Sequence, residues 1–163
     1  MTEQTQIDMF LSRIISDDRS VADDLTALGV DPNLVGKYGR TPLMTAASLG
    51  LSEMVNKLLT KGASANAVGE NGMAAIHEAA SNGHTSVVLL LIAYGANVNA
   101  QTIIGTTPLM CAAAWGFTET ARALLENGAN SLLQDKKGAT AYDIACEKCE
   151  LDAATLLLFY KTV

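Results

Sequence analysis

Apolar and polar positions along the chain repeat with a spacing of 33 residues. In the stretch from Gly105 to Asn130, Leu109, Ala112 and Ala113 give a short helix a narrow apolar face. Ala121, Leu124 and Leu125 do the same for a second helix, from about Thr118 to Glu126. Thr107 is placed to cap the first helix, and Pro108 occupies its first position, where a missing N–H does no harm. Gly116 stops the first helix and Gly128 the second, so both are expected to hold positive φ. The head glycine recurs at Gly39, Gly72, Gly105 and Gly138, the middle one at Gly50, Gly83 and Gly116, and the late one at Gly62, Gly95 and Gly128. This phase predicts stacked units, each a turn or hairpin, a helix, a tight turn, a second helix and a loop. No unit closes a core alone, so its apolar faces need neighbours.

The pattern divides the chain without a linker or low-complexity tract. Residues 6–35 read as a degenerate first unit, with Ile7, Phe10, Leu11 and Ile14 at helical spacing and a second helix from Ser20 through Leu28. Full units run over 36–68, 69–101 and 102–134, and a capping unit over 135–163, all within one domain, 1–163. The last helix, Asp152 to about Tyr160, carries Leu156, Leu157, Leu158, Phe159 and Tyr160, most of which are expected to pack within the domain.

Three stretches carry a family resemblance: Thr41-Pro42-Leu43-Met44-Thr45-Ala46-Ala47, Ile76-His77-Glu78-Ala79-Ala80 and Thr107-Pro108-Leu109-Met110-Cys111-Ala112-Ala113. With the joining segments Gly62 to Asn66, Gly95 to Asn99 and Gly128 to Asn130, they resemble the ankyrin repeat family. The resemblance implies an all-α solenoid of stacked helix-turn-helix repeats with short hairpin tips. The chain departs from the family at Ala74-Ala75, at Thr140-Ala141 and at Cys149, where a glycine belongs, so those helices are expected to be less firmly capped.

Charge and candidate chemistry narrow the function. The net charge is −6, and residues 1–35 hold seven acids against two basic residues, a local excess that reads as a solubilising cap. Nucleic acid wants a basic stripe, and an anionic membrane surface wants basic clusters, so neither is an expected partner. The longest apolar run, Val87 to Tyr94, is too short to cross a bilayer. No signal peptide is expected from the first ten residues. Three cysteines suit a reducing compartment, hence the cytoplasm, with the nucleus as the other candidate. His77 and His84 take ordinary family positions, and the resemblance gives His77 a structural hydrogen bond at a helix start. Cys146 and Cys149 spell C-x-x-C without a second pair, and are expected as one buried thiol and one at a helix end. No nucleophile–base set or phosphate cradle can be assembled, so no enzymatic activity and no cofactor are expected.

What remains is a surface. In proteins of the resembled family, turn tips and the outer side of each first helix line a concave groove that binds proteins. Here those positions include Tyr38, Arg40, Met73, Ile103, Ile104, Lys136 and Lys137 on tips, Leu49 and Trp115 on first helices, and Tyr94 before the late glycine. Adjacent isoleucines at a tip and the chain's one tryptophan on the same face point to a protein partner, and Lys37, Arg40, Lys136 and Lys137 on the two sides suit acidic groups on its flanks; the chain is expected as a monomer. Two alternatives stand beside this adaptor, inhibitor or regulatory-subunit reading: a thiol- or metal-responsive protein using Cys146 and Cys149, or a substrate of an asparagine-modifying enzyme at Asn99. Asn99, with Leu91 eight residues upstream, resembles a hydroxylation pattern of the family.

Overall fold

The structure, a computed structural model, describes residues 9, 12–14, 16 and 31–161. Between residues 31 and 161 the helices come in four pairs: α1 Pro42–Ser48 with α2 Ser52–Thr60, α3 Ala75–Ser81 with α4 Thr85–Ala93, α5 Pro108–Ala114 with α6 Thr118–Glu126, and α7 Ala141–Glu147 with α8 Leu151–Lys161. Among the described residues there is no strand, only an isolated bridge between Val68 and Ala74 at one tip. The chain is therefore an all-α stack, as its periodicity predicts. Of the first-unit residues, Ile14 is fully buried in the core, whereas Ile7, Phe10, Leu11 and the segment from Ser20 to Leu28 lie outside the described residues.

The core repeats with the sequence. Leu58, Leu91, Leu124 and Leu157 are buried at one phase of the second helices, each contributing about 1.5–3 kcal/mol by burial. The first helices bury Ala46, Ala47, Ala79, Ala80, Ala112, Ala113 and Ala145. Their small side chains let that row pack more closely than the second-helix row.

Capping explains where helices begin. Thr41 and Thr107 accept the N–H groups of Met44 and Met110, each at 3.2 Å. The expectation of weaker capping at Thr140 is overturned. Thr140 Oγ1 accepts the Asp143 N–H at 3.3 Å, and Asp143 Oδ2 accepts the Thr140 N–H at 2.9 Å, a reciprocal capping box. At Ala74, which has no side-chain acceptor, His77 Nδ1 accepts the Ala74 N–H at 3.1 Å.

That bond fixes the state of a buried histidine. With Nδ1 accepting, the proton sits on Nε2, which donates to the Ala100 carbonyl at 3.0 Å and lies 3.2 Å from that of Thr106. Burial pushes the His77 imidazole below its usual range, against an upward pull from those two carbonyls. As pH falls, the unfolded chain takes up this proton before the folded chain does. The stability contributed by the neutral ring is present above the ordinary histidine value and lost as pH drops through it. The melting temperature is expected to fall between about pH 7.5 and 5.5. Over that range nitrogen chemical shifts should report a neutral His77 ring; a ring that titrates at or above the ordinary value contradicts the assignment.

Asparagines stitch successive units together. Asn33, Asn66 and Asn99 donate through Nδ2 to the carbonyls of Gly62, Gly95 and Gly128, at 3.0, 2.8 and 3.0 Å. Their Oδ1 atoms accept the N–H groups of Ser64, Asn97 and Asn130, at 2.7, 2.8 and 2.8 Å. Each such bond contributes about 0.5–1.5 kcal/mol. Asn99→Ala, which removes two, is expected to lower the denaturant midpoint clearly while exposed Glu126→Ala leaves it unchanged. Equal midpoints for the two would contradict the tie.

Both cysteines of the C-x-x-C are exposed, and the buried thiol is Cys111 instead. Cys146 lies exposed in the last turn of α7. Cys149 follows the helix with φ 60°, the left-handed conformation that its phase gives to glycine elsewhere. A Cβ there is disfavoured by roughly 1–2 kcal/mol, and glycine loses about 0.5–1 kcal/mol in unfolded-state freedom. Cys149→Gly is expected to be neutral or mildly stabilising. A clear loss of melting temperature would show that the thiol has a packing role.

The last helix is half covered. Leu156 and Leu157 are buried and Tyr160 packs half-buried against the core, while Leu158 and Phe159 are exposed, so three of the five apolar residues pack inside.

Candidate protein-binding face

The tips form a ladder along one edge of the stack. Within each tip a four-residue closure holds the chain: Gly69 N–H to Met73 O at 2.9 Å, Thr102 N–H to Thr106 O at 3.0 Å and Asp135 N–H to Ala139 O at 3.0 Å. Between tips, Glu70 N–H donates to Tyr38 O at 3.1 Å, Ile103 N–H to Asn71 O at 3.0 Å and Lys136 N–H to Ile104 O at 3.0 Å. Backbone groups are thereby paired along the ladder, and the side chains at the crests turn outward. Tyr38 is exposed at φ 60°. Ile103 and Ile104 are 59% and 64% exposed.

The isoleucines stand over a hollow of about 310 Å³ between the second and third tips, lined by Asn71, Met73, Thr102, Ile103, Ile104, Thr106 and Cys111. Its floor is apolar because the first-helix residue beneath it is Cys111. Burial raises the Cys111 thiol above its usual range, a hydrogen bond with Ser81 lowers it, and the Glu78 charge raises it again. Cys111 is not among the residues expected on this face from the sequence. Its signal is the phase it shares with Thr45 and Glu78, one turn before Leu49 and Trp115 in their helices.

The neighbouring ground, between the first and second tips, is polar. Arg40 donates to Glu78 Oε1 at 2.9 Å, to Ser48 Oγ at 2.9 Å and to Thr45 Oγ1 at 3.3 Å. Its guanidinium is thus paired, though partly exposed, rather than standing free on the groove edge.

Two further expected residues are placed apart from the hollow. Trp115, 64% exposed, is the C-cap of α5, at the end of the helix remote from the tips. The seven residues of α5 separate it from the N-cap Thr107, about 12 Å along the axis. Leu49, Asn82 and Lys148 cap the other first helices at the same phase, so Trp115 belongs to a second row on the far side of the inner face. Tyr94 caps α4 and donates its hydroxyl to Asn56 Oδ1 of α2 at 3.1 Å, which places it on the outer-helix row. The structure therefore gathers Met73, Ile103 and Ile104, sets Trp115 and Leu49 across the inner face from them, and turns Tyr94 away. Lys136 and Lys137 are exposed on the fourth tip.

Against this geometry, a family model of ankyrin repeats (three copies) matches residues 11–102 and again residues 101–163. The chain belongs to the ankyrin repeat family. No curated protein matches it closely enough to be called a relative. Ankyrin repeats are generally protein–protein interaction modules and are typically non-enzymatic. In this ankyrin chain the tip ladder and inner helices described above carry exposed Tyr38, Leu49, Ile103, Ile104 and Trp115. Among the described residues no helix is long and apolar enough to cross a membrane. Nor, among them, do three or more His, Cys, Asp or Glu side chains gather where they could hold a metal ion. At Asn99 both ends of the amide are already engaged in the tie to the next unit.

Proposed function

We propose that residues 1–163 form one ankyrin-repeat domain that binds a protein partner and performs no chemistry on it. It acts as an adaptor, an inhibitor or a subunit that masks the partner's surface. The observation that carries this reading is the pair Ile103 and Ile104, more than half exposed side by side at a tip and opening onto an apolar hollow. Water gains nothing from such a pair, and exposed apolar patches on a folded surface mark binding sites. Trp115 supports it from the other edge of the inner face, since tryptophan is enriched among residues that dominate interfaces. The domain acts as a monomer, in the cytoplasm or nucleus, where reduced thiols such as Cys111, Cys146 and Cys149 are the rule.

The test is a pull-down from source lysate with three baits: wild type, Ile104→Asp and Glu126→Ala. A protein retained by wild type and Glu126→Ala but lost by Ile104→Asp supports the reading. The same proteins on all three baits would place the interaction elsewhere.

A further inference from the structure

The charges beside the hollow are one-sided. On the fourth tip, Lys136 is tied by its N–H to the Ile104 carbonyl at 3.0 Å, so Lys136 and Lys137 stand directly next to the isoleucines. Both are exposed, and among the described residues neither has an acidic partner. The carboxylate on that tip, Asp135, turns its Oδ1 to the N–H groups of Lys137 and Ala139, at 2.8 and 2.9 Å, as a turn brace. On the opposite side of the hollow the second tip presents exposed Glu70; on the first tip beyond it Arg40 is held by Glu78, and exposed Lys37 stands one tip further from the isoleucines than Glu70. The field across the hollow therefore runs from negative at Glu70 to positive at Lys136 and Lys137. Of the two basic residues expected on that far flank, Arg40 is paired with Glu78 and only Lys37 stands exposed, behind Glu70.

Resting on the protein-binding reading above, we propose that the hollow takes one large aliphatic or aromatic side chain from a linear protein segment whose acidic residues lie only on the Lys136–Lys137 side. The volume suits a single anchor, and the floor at Cys111 and Met73 offers it no charge. Two exposed lysines next to an apolar anchor attract carboxylates, while Glu70 repels them from the other flank. An anionic lipid surface would meet the same lysines, but a concave site beside Glu70 on a chain of net charge −6 favours the protein segment.

The experiment is selection of random linear peptides on the full chain, in parallel on the double variant Lys136→Glu with Lys137→Glu and on Ile104→Asp, each first checked for wild-type helicity. Wild type is expected to enrich peptides with one large apolar residue and Asp or Glu on one side of it. The double variant is expected to bind those peptides about tenfold more weakly or worse and to enrich Lys or Arg in their place. Ile104→Asp is expected to enrich neither. Failure to enrich any peptide, acids on both sides or neither, an unchanged preference in the double variant, or binding to phosphatidylserine vesicles in place of peptides would each overturn the proposal. The outcomes also separate it from the broader reading. If no acidic bias appears but Ile104→Asp still loses the intact partner, the binding face stands and the one-sided segment falls. If Ile104→Asp binds peptides and partner like wild type, the binding face itself is wrong.

Discussion

Ile104→Asp is expected to weaken binding of the isolated partner by about 2 kcal/mol or more, the scale of a truncated or disrupted interface centre. A charge there would be carried into an apolar hollow bounded by Met73, Ile103 and Cys111. The variant should fold normally, because Ile104 is 64% exposed and contributes only its backbone carbonyl to the ladder, through Lys136 N–H. Trp115→Ala is expected to have an effect of the same order if the partner spans the inner face, since Trp115 lies on its far edge. The two variants therefore report different things. Loss in both means a partner that crosses the whole face, whereas loss in Ile104→Asp alone means one confined to the tips. Lys136→Ala and Lys137→Ala should alter mainly the association rate and its salt dependence, as rim charges do. Titration calorimetry with Glu126→Ala as the reference checks the affinities. Wild-type affinity in Ile104→Asp would contradict the account.

The second large effect is on stability. Gly105 and Gly128 both hold left-handed backbone, with φ of 84° and 90°. Replacing either by alanine should cost roughly 1–2 kcal/mol for the conformation alone. The sites differ in their surroundings. A Cβ on Gly128 meets nothing within 4 Å, whereas on Gly105 it would lie 2.9 Å from Asp135 Cα and 3.1 Å from Lys136 N. Those are backbone atoms of the next tip and cannot swing aside. Gly105→Ala must therefore push the third and fourth tips apart and strain the bond from Lys136 N–H to Ile104 O. Gly105→Ala is expected to lose clearly more stability than Gly128→Ala in urea unfolding. Equal losses would mean that the tip ladder contributes nothing beyond backbone conformation.

The features that were legible in the sequence are those set by neighbours along the chain. Thr107 followed by Pro108 announces a helix start, and α6 spans Thr118–Glu126, as the spacing of Ala121, Leu124 and Leu125 predicts. Positive φ at Gly116 and Gly128 follows from the same local logic. What the sequence concealed depends on which way a side chain turns across units. The Arg40–Glu78 pair joins residues 38 apart and has no local signal. Tyr94 precedes a late glycine, as a groove residue would, yet its hydroxyl reaches back to Asn56 on the outer row. Trp115 shares the first-helix face with the tips but stands a helix length away from them. Capping at Thr140 was underrated because a missing proline is visible in the sequence, while the return bond from Asp143 is geometric.

The most direct test of the central claim places a photo-crosslinking residue at Asn71, exposed at the rim of the hollow, and separately at Glu126 on the outer row. The account predicts that the partner is captured from position 71 and that position 126 captures none of it. Capture from position 126 with none from position 71 would contradict it.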